Sequence, residues 1–149
     1  MLHRRAYDQI GLRVLVADDD DALRGVVADA LRSDGYVVVE ARDGLEGMAL
    51  LNDSMSDPLT RLDVVVADVR MPNLSGLGML EQLRHTGVRL PVVMITGFYP
   101  NSVEVVAKRL GALGVLRKPF DLDDLRTALM NAQTLRSRPP PPRAGRSPT

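Results

Sequence analysis

VLVADDDDALRG, residues Val14 to Gly25, runs a strand-like apolar segment directly into four consecutive aspartates and then into a helix-like stretch. Val14–Ala17 shows no polar alternation, the pattern of a strand covered on both faces. Carboxylates at the end of such a strand sit where water screens their repulsion poorly. The same unit recurs along the chain. Val14–Ala17, Tyr36–Val39, Val64–Ala67, Val92–Ile95 and Val115–Leu116 read as five short strands. Between and after them, Ala22–Arg32, Leu45–Leu51, Leu77–Arg84, Val103–Leu110 and Leu122–Leu135 carry apolar residues at helical spacing. Asp43 and Ser75 stand where helices begin, and Gly35, Gly87 and Gly111 where helices stop. Five strand–helix units predict an α/β fold, a doubly wound parallel sheet with right-handed crossovers.

A chain of 149 residues holds one domain with a proper core, and 45% hydrophobic with 26% charged residues is the balance of a globular protein. There is no cysteine, which excludes a disulfide framework and a thiolate metal site and leads us to expect an intracellular address. Apolar runs reach only the length of one strand, so no membrane span is expected. The leader, residues 1–11, has basic residues without an apolar stretch behind them and does not read as a signal peptide. From Ser137, SRPPPPRAGRSPT reads as a disordered or polyproline-like tail or linker stub, which leaves residues 12–136 as the folded domain. Residues 10–135 carry 13 basic and 18 acidic groups, a net charge of −5. That balance argues against nucleic-acid binding by the domain, since phosphate contacts need clustered Lys and Arg.

Ligands of an open parallel sheet bind outside the carboxyl ends of its strands. There the first strand delivers Asp18 and Asp19, and the third delivers Asp68 in VVVADVRMP. The fourth delivers Thr96 in VVMITG, and the fifth Lys118 in VLRKPF. Clustered carboxylates without His or Cys make a hard oxygen site, suited to Mg²⁺ or Mn²⁺ rather than zinc. A divalent cation there relieves the repulsion and can hold a phosphoryl group, toward which Lys118 supplies charge and Thr96 a hydrogen bond. A carboxylate can also be the nucleophile that becomes an aspartyl phosphate, and Asp68 is the lone acid on the central strand. Each residue has a plainer reading: an acid after a strand caps the next helix, and so we read Asp20 and Asp21. Thr before Gly starts turns, and a lone Lys is ordinarily solvated. Their joint occurrence at successive strand ends is what carries weight.

That joint pattern resembles the receiver domain of bacterial two-component response regulators. The resemblance rests on ADD with Asp18 and Asp19, DVRMPNLSG with Asp68, Met71, Pro72 and Gly76, ITG with Thr96, and RKPF with Lys118, Pro119 and Phe120. It spans roughly Leu12 to Leu135 and implies a flavodoxin-like sheet of strand order 2-1-3-4-5. It implies that Asp68 is the phosphoacceptor, served by a sensor histidine kinase or phosphotransfer protein. It further implies Mg²⁺ bound by Asp19, by Asp68, by the Arg70 carbonyl and by Asp18 through water or a hydrogen bond. Thr96 would turn toward the phosphoryl group, Lys118 would pair with Asp68 and then with its phosphate, and the Lys118–Pro119 bond would be cis. The face made by the fourth helix, fifth strand and fifth helix would serve homodimerisation or effector docking, in a cytoplasmic protein that is a switch rather than an enzyme.

Two departures qualify the carry-over. Family members usually carry Tyr or Phe three residues before the lysine, and here the residue is Val115, with Phe98 read either as a partial substitute or as a surface-loop aromatic. The segment NDSMSDPLTRLD, residues 52–63, is a few residues longer than is common, which a loop tolerates at small cost. A haloacid-dehalogenase-type phosphatase uses similar residue types, but its last acids need another strand end, whereas DLDD at Asp121, Asp123 and Asp124 opens a helix. A pseudo-receiver acting purely as an interaction module is the alternative that Val115 keeps open. No output domain follows the last helix, which fits a stand-alone regulator or a chain cut before its effector.

Overall fold

The computed structural model describes residues 11–97 and 101–137. Phe98, residues 1–10 of the leader and residues 138–149 of the tail lie outside the described residues. The chain alternates strand and helix throughout. In order these are β1 (Arg13–Ala17), α1 (Asp21–Ser33), β2 (Val37–Ala41), α2 (Gly44–Met55), β3 (Val64–Asp68), α3 (Gly76–His85), β4 (Val92–Thr96), α4 (Asn101–Arg109), β5 (Gly114–Arg117) and α5 (Leu122–Ser137). The sheet is parallel throughout, with order β2-β1-β3-β4-β5. The strand order reverses between β1 and β3, which opens a crevice at their carboxyl ends.

Alternate residues of the central strands feed two cores. Leu15, Ala17, Val65, Ala67, Val92 and Met94 pack with α2, α3 and Ala107 of α4. Val14, Val16, Val64, Val66, Val93 and Ile95 pack with Val27, Ala28 and Leu31 of α1 and Leu125, Leu129 and Ala132 of α5. All five residues of β3 and all five of β4 are buried, so the continuous apolar runs are explained by cover on both faces.

The punctuation follows the residue chemistry. Asp43 and Ser75 cap α2 and α3, their side chains accepting from the N–H groups of Glu46 and Gly78. α1, α3 and α4 end in the same way: Gly35, Gly87 and Gly111 have φ of 98°, 79° and 83°, and the next residue's N–H reaches back five positions. That is the Schellman closure, which favours a residue without a Cβ.

Every element departs from its sequence-based bounds by a residue or more at one end or both, and in β2 and α2 the cause is visible. β2 is Val37–Ala41 rather than Tyr36–Val39: the Tyr36 N–H closes α1 on the Leu31 carbonyl, while Glu40 stays in the strand and pairs with Arg24 and Arg32. α2 runs on from Leu51 to Met55 because Ser54, a weak helix former, is buried and returns its hydroxyl to the Leu51 carbonyl at 2.8 Å. The long segment that follows is fastened at its end, where Leu62 enters the core and the Asp63 carboxylate accepts the Arg13 N–H at 2.8 Å.

Candidate functional site

Three strand ends build the floor of the site. Beyond β1, Asp18 is 2% exposed, its N–H donating to the Ala41 carbonyl at 3.1 Å and its Oδ1 accepting the Asp20 N–H at 2.9 Å. The adjacent Asp19 is exposed. Asp68 closes β3, is buried, and accepts the Arg70 N–H on Oδ1 at 2.9 Å. One oxygen each of Asp18, Asp19 and Asp68 lies within 4.8 Å of the others. From the far side Lys118 at the end of β5 places Nζ on Asp68 Oδ2 and 3.7 Å from Asp18 Oδ2. Its own N–H donates to the Thr96 carbonyl at 2.7 Å, and the Lys118–Pro119 bond is cis.

The electrostatics are those of crowded acids. Burial pushes the Asp18 carboxyl up to about 6, and the neighbouring charge of Asp68 adds to this against the opposing Asp20 N–H and Lys118. Burial alone would lower Lys118, but its bond to Asp68 and the charges of Asp68 and Asp18 outweigh it and raise the lysine above its ordinary value. Three carboxylates against one ammonium leave two negative charges unmatched in this group. An all-oxygen donor set with that deficit fits a hard divalent cation.

Thr96 ends β4 and is 3% exposed, and its Oγ1 has no hydrogen-bond partner among the described residues. A buried hydroxyl left so costs about 1–3 kcal/mol, which points to a partner from outside the protein. Above these groups opens a cavity of about 600 Å³, lined by Asp19, Asp20, Asp68, Arg70, Met71, Pro72, Gly97 and Lys118. All six sequence-predicted residues are therefore at one rim: Asp19, Asp68, Arg70 and Lys118 line the cavity, while Asp18 and Thr96 lie buried beside it.

The loop after Asp68 is held at several points. Its residue Met71 is buried in the core shared by α2 and α3. Asn73 adopts a left-handed φ of 69°, and its amide donates to Asp43 Oδ2 at 2.9 Å. The loop ends where the Gly76 N–H meets the Val69 carbonyl at 2.9 Å, and a Cβ on Gly76 would lie 2.1 Å from the Asp68 carbonyl oxygen. Only glycine allows α3 to start this close to the end of β3. Asp20 caps α1 through the Leu23 N–H, as its position predicts, and also lines the cavity. Position 115 carries a half-buried valine packed against the α2–α4 side of the core.

Residues beyond the sequence pattern also support the site. The Asp43–Asn73 bond couples two loops 30 positions apart, and Arg24 reaches the main chain of Asp18. The one local signal was the i,i+3 spacing of Asp21 and Arg24; nothing in the order of residues marks a side chain that binds a carbonyl oxygen.

A family model described as the response regulator receiver domain matches residues 14–130. The chain is 40% identical over 128 residues to a protein named response regulator MprA from Mycobacterium sp. (strain KMS), an alignment covering 86% of this chain and 53% of that protein. It thus spans about half the length of the curated relatives it matches. Among solved structures it is similar to the receiver domain of Francisella response regulator 1452, with TM-score 0.75 and 27% identity over 83% of this chain and 98% of the other. A receiver domain protein from Clostridium thermocellum gives TM-score 0.76 and 29% identity over 83% and 95% of the two chains.

Proposed function

The chain belongs to the response regulator receiver domain family, and on that premise we propose that it takes a phosphoryl group onto Asp68 from the phosphohistidine of a sensor kinase or phosphotransfer protein. The observation that carries this reading is a buried Asp68 carboxylate paired with Lys118 inside an acidic cluster that carries excess negative charge. An Asp68 oxygen attacks phosphorus, and the electron pair of the breaking P–N bond returns to the donor imidazole, which takes up a proton. Lys118 leaves the carboxyl it neutralised and pairs with a phosphoryl oxygen. Thr96 turns its unpartnered hydroxyl to another. Held by Asp19, Asp68 and the Arg70 carbonyl, with Asp18 through water or a hydrogen bond, Mg²⁺ (or Mn²⁺) would neutralise charge on the phosphoryl oxygens.

In this reading the product is a switch state rather than a released compound. The face of α4, β5 and α5 is where a second copy or an effector would dock. It exposes Val105 and Val106 beside Arg117, which bonds Glu104 at 3.3 Å and Asn101 at 2.7 Å. The signal reaches that face without an aromatic ring at position 115. A cytoplasmic setting and no direct nucleic-acid contact by the domain complete the reading; no helix among the described residues is long and apolar enough to cross a membrane.

The second reading, an interaction module indifferent to phosphorylation, rests on Val115 alone. The two part in an amide NMR titration with beryllofluoride, a phosphoryl mimic, and Mg²⁺. The receiver reading expects shifts around Asp68, Thr96 and Lys118 that extend into α4 and are lost in Asp68→Asn. Shifts confined to the pocket support the module, and no shift at all contradicts phosphoacceptance.

A further inference from the structure

Arg24 lies in the first turns of α1, outside the cavity lining, and its side chain is only 11% exposed. Its guanidinium spans three pieces of chain. Nη1 donates to the main-chain oxygen of Asp18 at 2.7 Å, Nη2 to Asp21 Oδ1 at 2.7 Å, and Nε to Glu40 Oε1 at 3.3 Å. Asp18 is thereby fixed at its N–H by Ala41, at its carboxylate by the Asp20 N–H and at its carbonyl by Arg24. The carbonyl that Arg24 holds belongs to the peptide linking Asp18 to Asp19, so the same contact sets the direction in which Asp19 leaves the strand end.

We propose that Arg24 is a positioning residue for a divalent cation at Asp18, Asp19 and Asp68, acting through the Asp18 carbonyl without touching the ion. The proposal rests on the metal-dependent reading given above. Two effects of Arg24 oppose each other. A positive charge near the acids repels a cation, while a fixed loop spares the ion the cost of ordering its ligands. The charge is compensated on the spot: Asp21 and Glu40 bind Arg24, and Arg32 also binds Glu40 at 3.2 Å, so the four groups sum to zero. Their combined field at the pocket is small, whereas no other bond to the Asp18 carbonyl replaces the hold on it among those described. Positioning outweighs repulsion. Removing this cation therefore weakens binding of another cation, the reverse of what charge alone predicts.

The test is an Mg²⁺ titration of the full chain followed by backbone amide NMR shifts, which needs no phosphoryl donor. Arg24→Ala is expected to weaken Mg²⁺ binding by about tenfold or more, the range found when groups that orient metal ligands are removed. Arg24→Lys keeps the charge but cannot span three acceptors, and falls between wild type and Arg24→Ala. Arg32→Ala also takes a guanidinium from Glu40 but leaves the Asp18 carbonyl held, and retains wild-type affinity. Unchanged or tighter binding in Arg24→Ala overturns the proposal, as does equal weakening in Arg32→Ala. Should Arg24→Ala fail to fold, Arg24→Lys decides, and wild-type affinity there overturns it. A wild-type chain without any Mg²⁺ response overturns the metal-dependent reading itself, a result that no Arg24 variant is needed to recognise.

Discussion

Four adjacent aspartates do four different things because the backbone turns beneath them. Asp18 is buried at a strand end, Asp19 is exposed at the rim, Asp20 caps α1, and Asp21 pairs with Arg24. The cost of the arrangement falls on Asp18, whose carboxyl titrates near 6 when folded against an ordinary 3.8. Between these values the folded chain holds a proton that the unfolded chain has released. Its stability contribution therefore falls as pH rises from about 4 through 6, and the full cost stands above that range. In metal-free buffer, Asp18→Asn is expected to be more stable than wild type at pH 8, by up to roughly 3 kcal/mol. The gain should shrink as pH falls to 5. Urea denaturation at the two pH values measures it, and a difference independent of pH contradicts the account. That these acids belong together was legible from their strand-end positions. The division of burial between Asp18 and Asp19 was not, because both follow the same apolar run and only the path of the chain separates them.

At the scale of elements, strands and helices were legible wherever local chemistry decided them: apolar runs for β1, β3 and β4, caps at Asp43 and Ser75, glycine stops after α1, α3 and α4. Misplacements arose where tertiary contacts overrode local preference, as at Glu40 in β2 and Ser54 in α2. Arg84 shows the limit most clearly. From the last turn of α3 its guanidinium donates to the carbonyls of Leu110 at 2.8 Å, Val88 and Leu90 at 3.1 Å and Gly111 at 3.0 Å. It thereby joins α3, the approach to β4 and the turn after α4. Its acceptors are main-chain oxygens, which every residue possesses, so no pattern of side chains could have announced it. Arg84→Ala leaves three partly buried carbonyls and an exposed one short of a donor and is expected to cost about 2–4 kcal/mol. A thermal scan should show Tm lower by roughly 10 °C. The pocket lies at the opposite end of the strands, so phosphorylation well below that Tm should persist; a variant as stable as wild type contradicts the role assigned to Arg84.

For the molecule as a whole, the two-faced parallel sheet follows from hydrophobic pattern, and the strand order follows from the family resemblance that the motifs carry. The order 2-1-3-4-5 is what brings β1, β3, β4 and β5 to a common rim, so that acids near positions 18 and 68 share a crevice with Lys118. Distances in sequence of 50 residues become contacts through topology alone. In the proposed reading, output would leave by the α4–β5–α5 face, and a half-buried valine at position 115 stands where the family usually has a ring. The function proposed for this rim depends on Asp68 accepting a phosphoryl group. Intact-mass spectrometry of the chain after incubation with acetyl phosphate and Mg²⁺ tests it most directly. The expected result is a gain of one phosphoryl group, lost on adding excess chelator before the donor and absent in Asp68→Asn. No gain in the folded wild-type chain, or a gain that survives in Asp68→Asn, would contradict it.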